Sequence, residues 1–209
     1  MRAANKGSLT EVRRLIGCAN VDINSLGTVS TPLRSYNVTG LWAASYKDHL
    51  QVVQQLLSNP GIDVNRATTT DGASPLFVAS AVGNVDVVKE LLAHPQIDVN
   101  KATTTTGTTP LFISSQNGHV DVVRLLLADP RVDPNKLRTG GTKNNAINIA
   151  AYGGKLEVVK ILLRCPKVML GVEDSNGRTE LLQAARKGFW TIVTAIASRD
   201  ALLEQSHTC

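Results

Sequence analysis

His119 and Asp121, two residues apart, and Cys165 are side chains whose types and placement could do chemistry. A histidine beside a carboxylate becomes a general base only when a nucleophile lies within hydrogen-bond reach, and a thiol becomes a nucleophile only when a base activates it. No recognisable spacing supplies either partner. Cys165 stands immediately before Pro166 and reads as the end of a helix. Zinc ligands come in close pairs along the chain, whereas Cys18, Cys165, Cys209 and the four histidines are scattered singly. A phosphate cradle would need a glycine loop running into a Gly-Lys-Ser/Thr, and none follows any glycine here. The expectation is a protein that is not an enzyme, with no metal and no cofactor.

Charge raises a second possibility. The chain of 209 residues carries a net +5, divided as +3 over 1–66, −2 over 67–136 and +4 over 137–209. An acidic centre makes a poor continuous track for phosphates, which counts against nucleic acid as the main partner. Lys143, Arg178, Arg186 and Lys187 form a basic cluster near the C-terminus that could still touch RNA or another polyanion. A solvated charged face accounts for the same residues.

The elements that must position these residues repeat. Thr109–Asn135 reads TPLFISSQNGHVDVVRLLLADPRVDPN. Shifted copies begin 35 residues back at Ser74, another 35 back at Thr39, and 36 forward at Asn145. A unit of this size cannot bury its own apolar face and has to stack on its neighbours. Within the unit, Thr109 is a good N-cap, and Pro110 suits the first helical position, where its missing N–H costs nothing. Ser114 and Ser115 are small enough to let a neighbouring helix approach, and Gly118 stops the helix. A second helix follows over about 119–128, with Asp121 in its first turn complementing the helix dipole. Its buried stripe is expected at Val120, Val123, Leu126 and Leu127. Pro130 ends it, and 133–141 forms an extended, turning finger.

Thr109, Pro110, Leu111, Ser114, Ser115, Gly118, His119, Val122, Val123 and Leu125 to Leu127 match the TPLHxAAxxGHxxVVxLLL pattern, and the chain thereby resembles the ankyrin repeat family. That resemblance implies an all-α solenoid of stacked helix-turn-helix units with extended β-turn fingers. It also gives His119 a structural place as the histidine of the Gly-His pair. Two departures stand out. The period is longer than the family's usual ~33. The histidine that follows leucine in the family is Trp42, Phe77, Phe112, Asn148 or Leu182 here. In the middle units the polar link between repeats is therefore expected to give way to aromatic packing.

Along the chain, 1–24 is a partial first repeat and 25–38 a lengthened finger or loop. Repeats two to six cover 39–66, 67–101, 102–137, 138–174 and 175–198, the last a C-terminal cap in which Trp190, Val193, Ile196 and Ala197 take the buried stripe. A polar, partly ordered tail fills 199–209. The first repeat lacks its cap and proline, so it is either a shortened cap or a piece of a longer array, and the lack of a polar outer helix favours the longer array. No apolar run approaches a membrane span and no signal-peptide core opens the chain. Three unpaired cysteines point to a reducing compartment, cytoplasm or nucleus.

Members of the family grip partners with finger tips and with the residues just before the first helix's glycine, which line a concave face. On this sequence the positions are Tyr36, Tyr46, Lys47, Ala81, Val82, Gln116, Asn117, Tyr152, Arg178, Arg186 and Lys187. All three tyrosines fall among them, and tyrosine serves interfaces well because it offers large area at small entropy cost. The resulting expectation is a monomeric protein-binding scaffold with another protein as partner. The alternatives are the basic-end polyanion contact and a non-catalytic segment of a larger protein. Asn65 and Asn100 further resemble the asparagines that are hydroxylated on ankyrin repeats, and each also has a sufficient role as a turn residue.

Overall fold

The computed structural model describes residues 1–16, 21–30 and 35–206. The chain divides into two compact units, Met1–Thr106 and Gly107–Cys209.

In the first unit, α1 (Arg2–Asn5), α3 (Gly40–Tyr46) and α5 (Pro75–Val82) pack side by side as one layer. Their partners α2 (Leu9–Ile16), α4 (Leu50–Leu57) and α6 (Val85–Leu92) form the second layer. In the second unit, α7 (Pro110–Asn117), α9 (Ala146–Tyr152) and α11 (Glu180–Arg186) are the first-helix layer. Behind them lie α8 (Val120–Ala128), α10 (Leu156–Arg164) and α12 (Trp190–Ser206).

Local chemistry sets the ends of the first helices. Thr39, Ser74, Thr109 and Thr179 each accept a hydrogen bond from the backbone N–H three residues on, and Pro75 and Pro110 open their helices. α9 has neither hydroxyl cap nor proline. Asn145 and Asn148 replace them with a reciprocal cap, each side chain meeting the other's backbone N–H at 3.1–3.2 Å. Gly118 closes α7 at φ +83, a conformation that disfavours any residue with a Cβ.

Helices of eight or nine residues, such as α4, α6, α8 and α10, are too short to persist alone. Burial holds them. Val52, Val53 and Leu56 are buried in α4, Val87, Val88 and Leu91 in α6, Val122, Val123 and Leu126 in α8, and Val158, Val159 and Leu162 in α10. At ~1.5–3 kcal/mol for each fully buried aliphatic side chain, one such triplet outweighs the ~1 kcal/mol of a cap. The buried pattern is therefore i, i+1, i+4. Val120 and Leu127, expected in the stripe, are only half-buried, because the adjacent valine pair faces the first-helix layer. In α12 the same phase buries Ile192 and Ile196, while Trp190, expected inside, is 65% exposed and Ala197 faces outward. The helix also runs on to Ser206, through the stretch read as a partly ordered tail. Ala201, Leu202, Leu203, Glu204 and Gln205 favour helix, and no glycine or proline interrupts them.

Residues 25–38 carry an antiparallel hairpin, β1 (Gly27–Ser30) with β2 (Ser35–Val38), in the register Gly27 to Val38 and Val29 to Tyr36. Within this loop, Thr31-Pro32-Leu33 has the residue types of a helix start without the small pair and glycine that should follow, and it lies outside the described residues. Val38 anchors the hairpin, fully buried against Trp42, Ala43 and Val78.

Aromatic packing replaces the family histidine at two positions. Trp42 stacks on Tyr46 at 5.5 Å between centroids, and buried Phe112 lies beneath the Arg138 guanidinium at 6.0 Å. Polar bonding between repeats nevertheless persists, carried by other residues. At the histidine position of the fifth repeat, Asn148 donates to the Val172 carbonyl at 3.1 Å and to Glu180 Oε2 at 3.4 Å. Asn84 donates to Ser45 O at 2.8 Å. The asparagines that close the turns after α2, α4 and α8 form a further set. Asn24 donates to Gly61 O and accepts from Asp63 N, Asn65 does the same with Gln96 O and Asp98 N, and Asn135 with Lys167 O and Met169 N, all at 2.7–2.8 Å. Each carboxamide thus clamps two backbone groups of the following repeat.

Candidate functional site

The last turns of the first helices carry the residues singled out for binding. Small pairs buried beneath them, such as Ala43 with Ala44 and Ala150 with Ala151, bring the helices close and turn these ends outward. In the first unit, half-buried Tyr46 rests on Trp42, and the Lys47 ammonium lies 5.2 Å from the Tyr46 ring centroid. Ala81 is half-buried and Val82 exposed. Tyr36 pairs in the hairpin, but its side chain lies outside the described residues.

In the second unit, Gln116 and Asn117 are exposed at the end of α7. Tyr152 of α9, Arg178 of the finger after α10, and Arg186 and Lys187 at the end of α11 meet in one groove of about 280 Å³ together with Gln183. Tyr152 is 47% exposed, and Lys187 Nζ sits 4.5 Å above its ring centroid, within cation–π range. The fourth cation of the expected basic cluster, Lys143, does not line this groove.

Several residues that shape the groove escaped sequence reasoning. Asp174 is buried, and its carboxylate folds the last finger by accepting from the backbone N–H groups of Asn176 and Arg178 and from Gln183 Nε2 at 2.7–3.2 Å. Glu180, 1% exposed, accepts from Gly171 N at 2.8 Å and fixes the finger at its other end. Arg138 and Asn144 line an adjoining groove of about 230 Å³. The one available signal was charge and amide side chains recurring in the fingers around 138–144 and 173–178.

The candidates for other chemistry sit in structural positions. His119 is the N-cap residue of α8, and Asp121 lies exposed in its first turn. Cys165 caps the C-terminus of α10, and its carbonyl accepts from Arg199 Nη2 at 3.2 Å. Cys18 and Cys209 lie outside the described residues. Among the described residues no three His, Cys, Asp or Glu side chains gather as metal ligands, and no helix is long and apolar enough to cross a membrane. Asn65 is engaged at both ends of its carboxamide in the clamp described above, and the Asn100 N–H donates to Asp98 Oδ1 at 3.0 Å. Hydrogen bonds from Arg131 hold the Asp129 carboxyl below the usual carboxylate value, the closest at 2.6 Å.

Comparison with known proteins agrees with this architecture. Residues 1–102 and 41–138 match a family model described as "Ankyrin repeats (3 copies)". The crystal structure of EF0377, an ankyrin repeat protein, superposes with a TM-score of 0.79 at 26% identity, covering 94% of each chain. An ankyrin repeat domain from Acinetobacter baumannii AYE superposes with a TM-score of 0.80 at 22% identity, covering 95% of this chain and 96% of that one. The fold is the all-α ankyrin-repeat solenoid. No curated protein sequence matches the chain significantly.

Proposed function

The chain belongs to the ankyrin repeat family, and from that premise we propose that it binds another protein through the first-helix ends of its repeats, the face that is concave in the family. Ankyrin repeats as a class mediate protein–protein interaction. The observation that carries the assignment of the face is the groove around Tyr152, where an aromatic ring stands 47% exposed among three cations. A large amphipathic side chain held in place yet open to solvent is what an interface anchor requires. Tyr46, Lys47, Ala81, Val82, Gln116 and Asn117 extend the contact surface within their own units, with Tyr36 at the hairpin. The capped, clamped repeats give this surface its rigidity, and a preorganised surface loses little entropy on docking.

In this reading the protein is a monomeric, non-catalytic scaffold of a reducing compartment. Hydroxylation of Asn65 or Asn100 would be incidental to binding. A hydroxyl on the Asn65 Cβ leaves both clamp bonds in place, and a one-oxygen mass gain on the peptide reports it.

The test compares the native chain with a Tyr46→Ala, Gln116→Ala, Tyr152→Ala variant in a pull-down from nuclease-treated lysate, after circular dichroism has shown that the variant folds. Proteins held by the first and released by the second support the face. Identical retention by both refutes it.

A further inference from the structure

The chemistry of the partner can be drawn from two grooves of the second unit, an inference that rests on the protein-binding reading above. The groove under Lys187 and the one reaching Arg138 share Tyr152, Arg178 and Gln183 as lining residues. Together they present Arg138, Arg178, Arg186 and Lys187. Asp174 is the one carboxylate that lines them, and its oxygens bond amide donors, so four cations face a single negative charge.

A second observation is independent of charge. Arg138 Nε is buried without an acceptor, and Asn144 Oδ1 is buried without a donor. Asn144 is 5% exposed, and the backbone bond from Arg138 N to Asn144 O, at 2.9 Å, holds the two residues side by side. Buried polar atoms rarely stay unpaired, because each costs the desolvation of its group. A donor without an acceptor beside an acceptor without a donor is the complement of a peptide bond, which offers one C=O and one N–H. A phosphodiester link offers acceptors only and would satisfy half of the pair.

We propose that these grooves take an extended acidic segment of a partner protein. Its backbone takes up Arg138 Nε and Asn144 Oδ1 as these two side chains, enclosed in the free protein, swing into the groove. Its Asp or Glu side chains pair with Arg178, Arg186 and Lys187, and Arg178 and Arg186 have the forked geometry that holds a carboxylate through two bonds. The Tyr152 ring, already bearing the Lys187 ammonium on one face, walls the groove with apolar surface.

The test uses fluorescence anisotropy with three labelled probes: an oligo-glutamate peptide, an oligo-lysine peptide and a single-stranded oligo-uridine RNA. Oligo-glutamate binds and oligo-lysine does not. Arg178→Ala and Arg186→Ala each weaken binding about tenfold, the loss of one charge-assisted bond. Asn144→Ala weakens it too, although no charge is removed. Lys160→Ala, which deletes a cation paired with Glu157 at 2.8 Å outside the grooves, leaves binding unchanged. Circular dichroism accompanies every variant, and Arg186, exposed at the end of α11, keeps the test open should an Arg178 or Asn144 variant misfold.

Tighter binding of oligo-uridine than of oligo-glutamate overturns the proposal in favour of a nucleic-acid contact. An equal loss on Lys160→Ala overturns it as diffuse charge attraction, and absence of oligo-glutamate binding overturns it outright. Should the lysate partner be lost by the triple variant while oligo-glutamate fails to bind, the binding face stands and only the acidic chemistry falls.

Discussion

Replacing Glu180 by alanine should loosen the last two repeats by about 3 kcal/mol, the sum of a charge-assisted hydrogen bond and the helix-dipole contribution of a carboxylate in a first turn. The side chain is 1% exposed and joins the fifth repeat to the sixth through Gly171 N at 2.8 Å and Asn148 Nδ2 at 3.4 Å. Asn148 keeps its second bond, to Val172 O, so the loss falls mainly on Gly171 and on the start of α11. Glu180→Gln preserves volume and one acceptor but turns an amide towards the Asn148 donor, and should cost about half as much. Urea unfolding followed at 222 nm ranks the three proteins. Hydrogen exchange over 169–186 locates the effect, with amides there exchanging roughly a hundredfold faster in Glu180→Ala than in the native chain. The opposing term is desolvation, since burying a carboxylate costs several kcal/mol and can cancel what its bonds return. A Glu180→Gln protein more stable than the native chain, or a Glu180→Ala protein within about 0.5 kcal/mol of it, would show that desolvation wins and that the bonds to Gly171 and Asn148 do not hold the repeats together.

Asn135→Ala removes the bonds to Lys167 O and Met169 N at 2.7 and 2.8 Å, and because water reaches both groups the loss in urea titration should be only ~1–2 kcal/mol. Gly107→Ala and Gly177→Ala both place alanine at positive φ, +64 and +68, for a shared cost of ~1–2 kcal/mol. The first also sets a Cβ 2.8 Å from Thr139 N whereas the second meets nothing nearer than 3.9 Å, so thermal melting should fall clearly further for Gly107→Ala. Asp129, with its pKa lowered by Arg131, lends stability that is present above the unfolded carboxylate value of ~3.9 and is lost as pH falls through the lower folded value. Arg131→Ala should accordingly be less stable by no more than ~1 kcal/mol at neutral pH, and the difference should close in strong acid when stability is titrated against pH.

Sequence reading succeeded where a residue acts on its own backbone. Thr109, Pro110 and Gly118 do their work within a few residues, so local preference and final position coincide. It missed the phase of the second helices because Val-Asp-Val-Val offers an apolar residue to two faces. Only packing against the first-helix layer chooses Val122 with Val123 over Val120. The same displacement put Trp190 inside when it stands outside. Four candidate site residues, Tyr152, Arg178, Arg186 and Lys187, do come together, since Tyr152 and Arg186 hold equivalent places in adjoining repeats, Lys187 follows Arg186, and Arg178 ends the finger that leads into α11. Arg138, Asn144, Asp174 and Glu180 were illegible because their roles depend on finger turns with no period, where a charged side chain looks the same whether it is solvated or buried on a backbone amide.

The asparagine clamps touch only main-chain atoms of the next repeat, a C=O and an N–H that every residue but proline possesses. Joining one repeat to the next at this point therefore places almost no demand on what the next repeat's sequence is. Whole units can be duplicated, deleted or exchanged with these backbone bonds intact. A chain built this way can change what it recognises by recombination as readily as by point substitution.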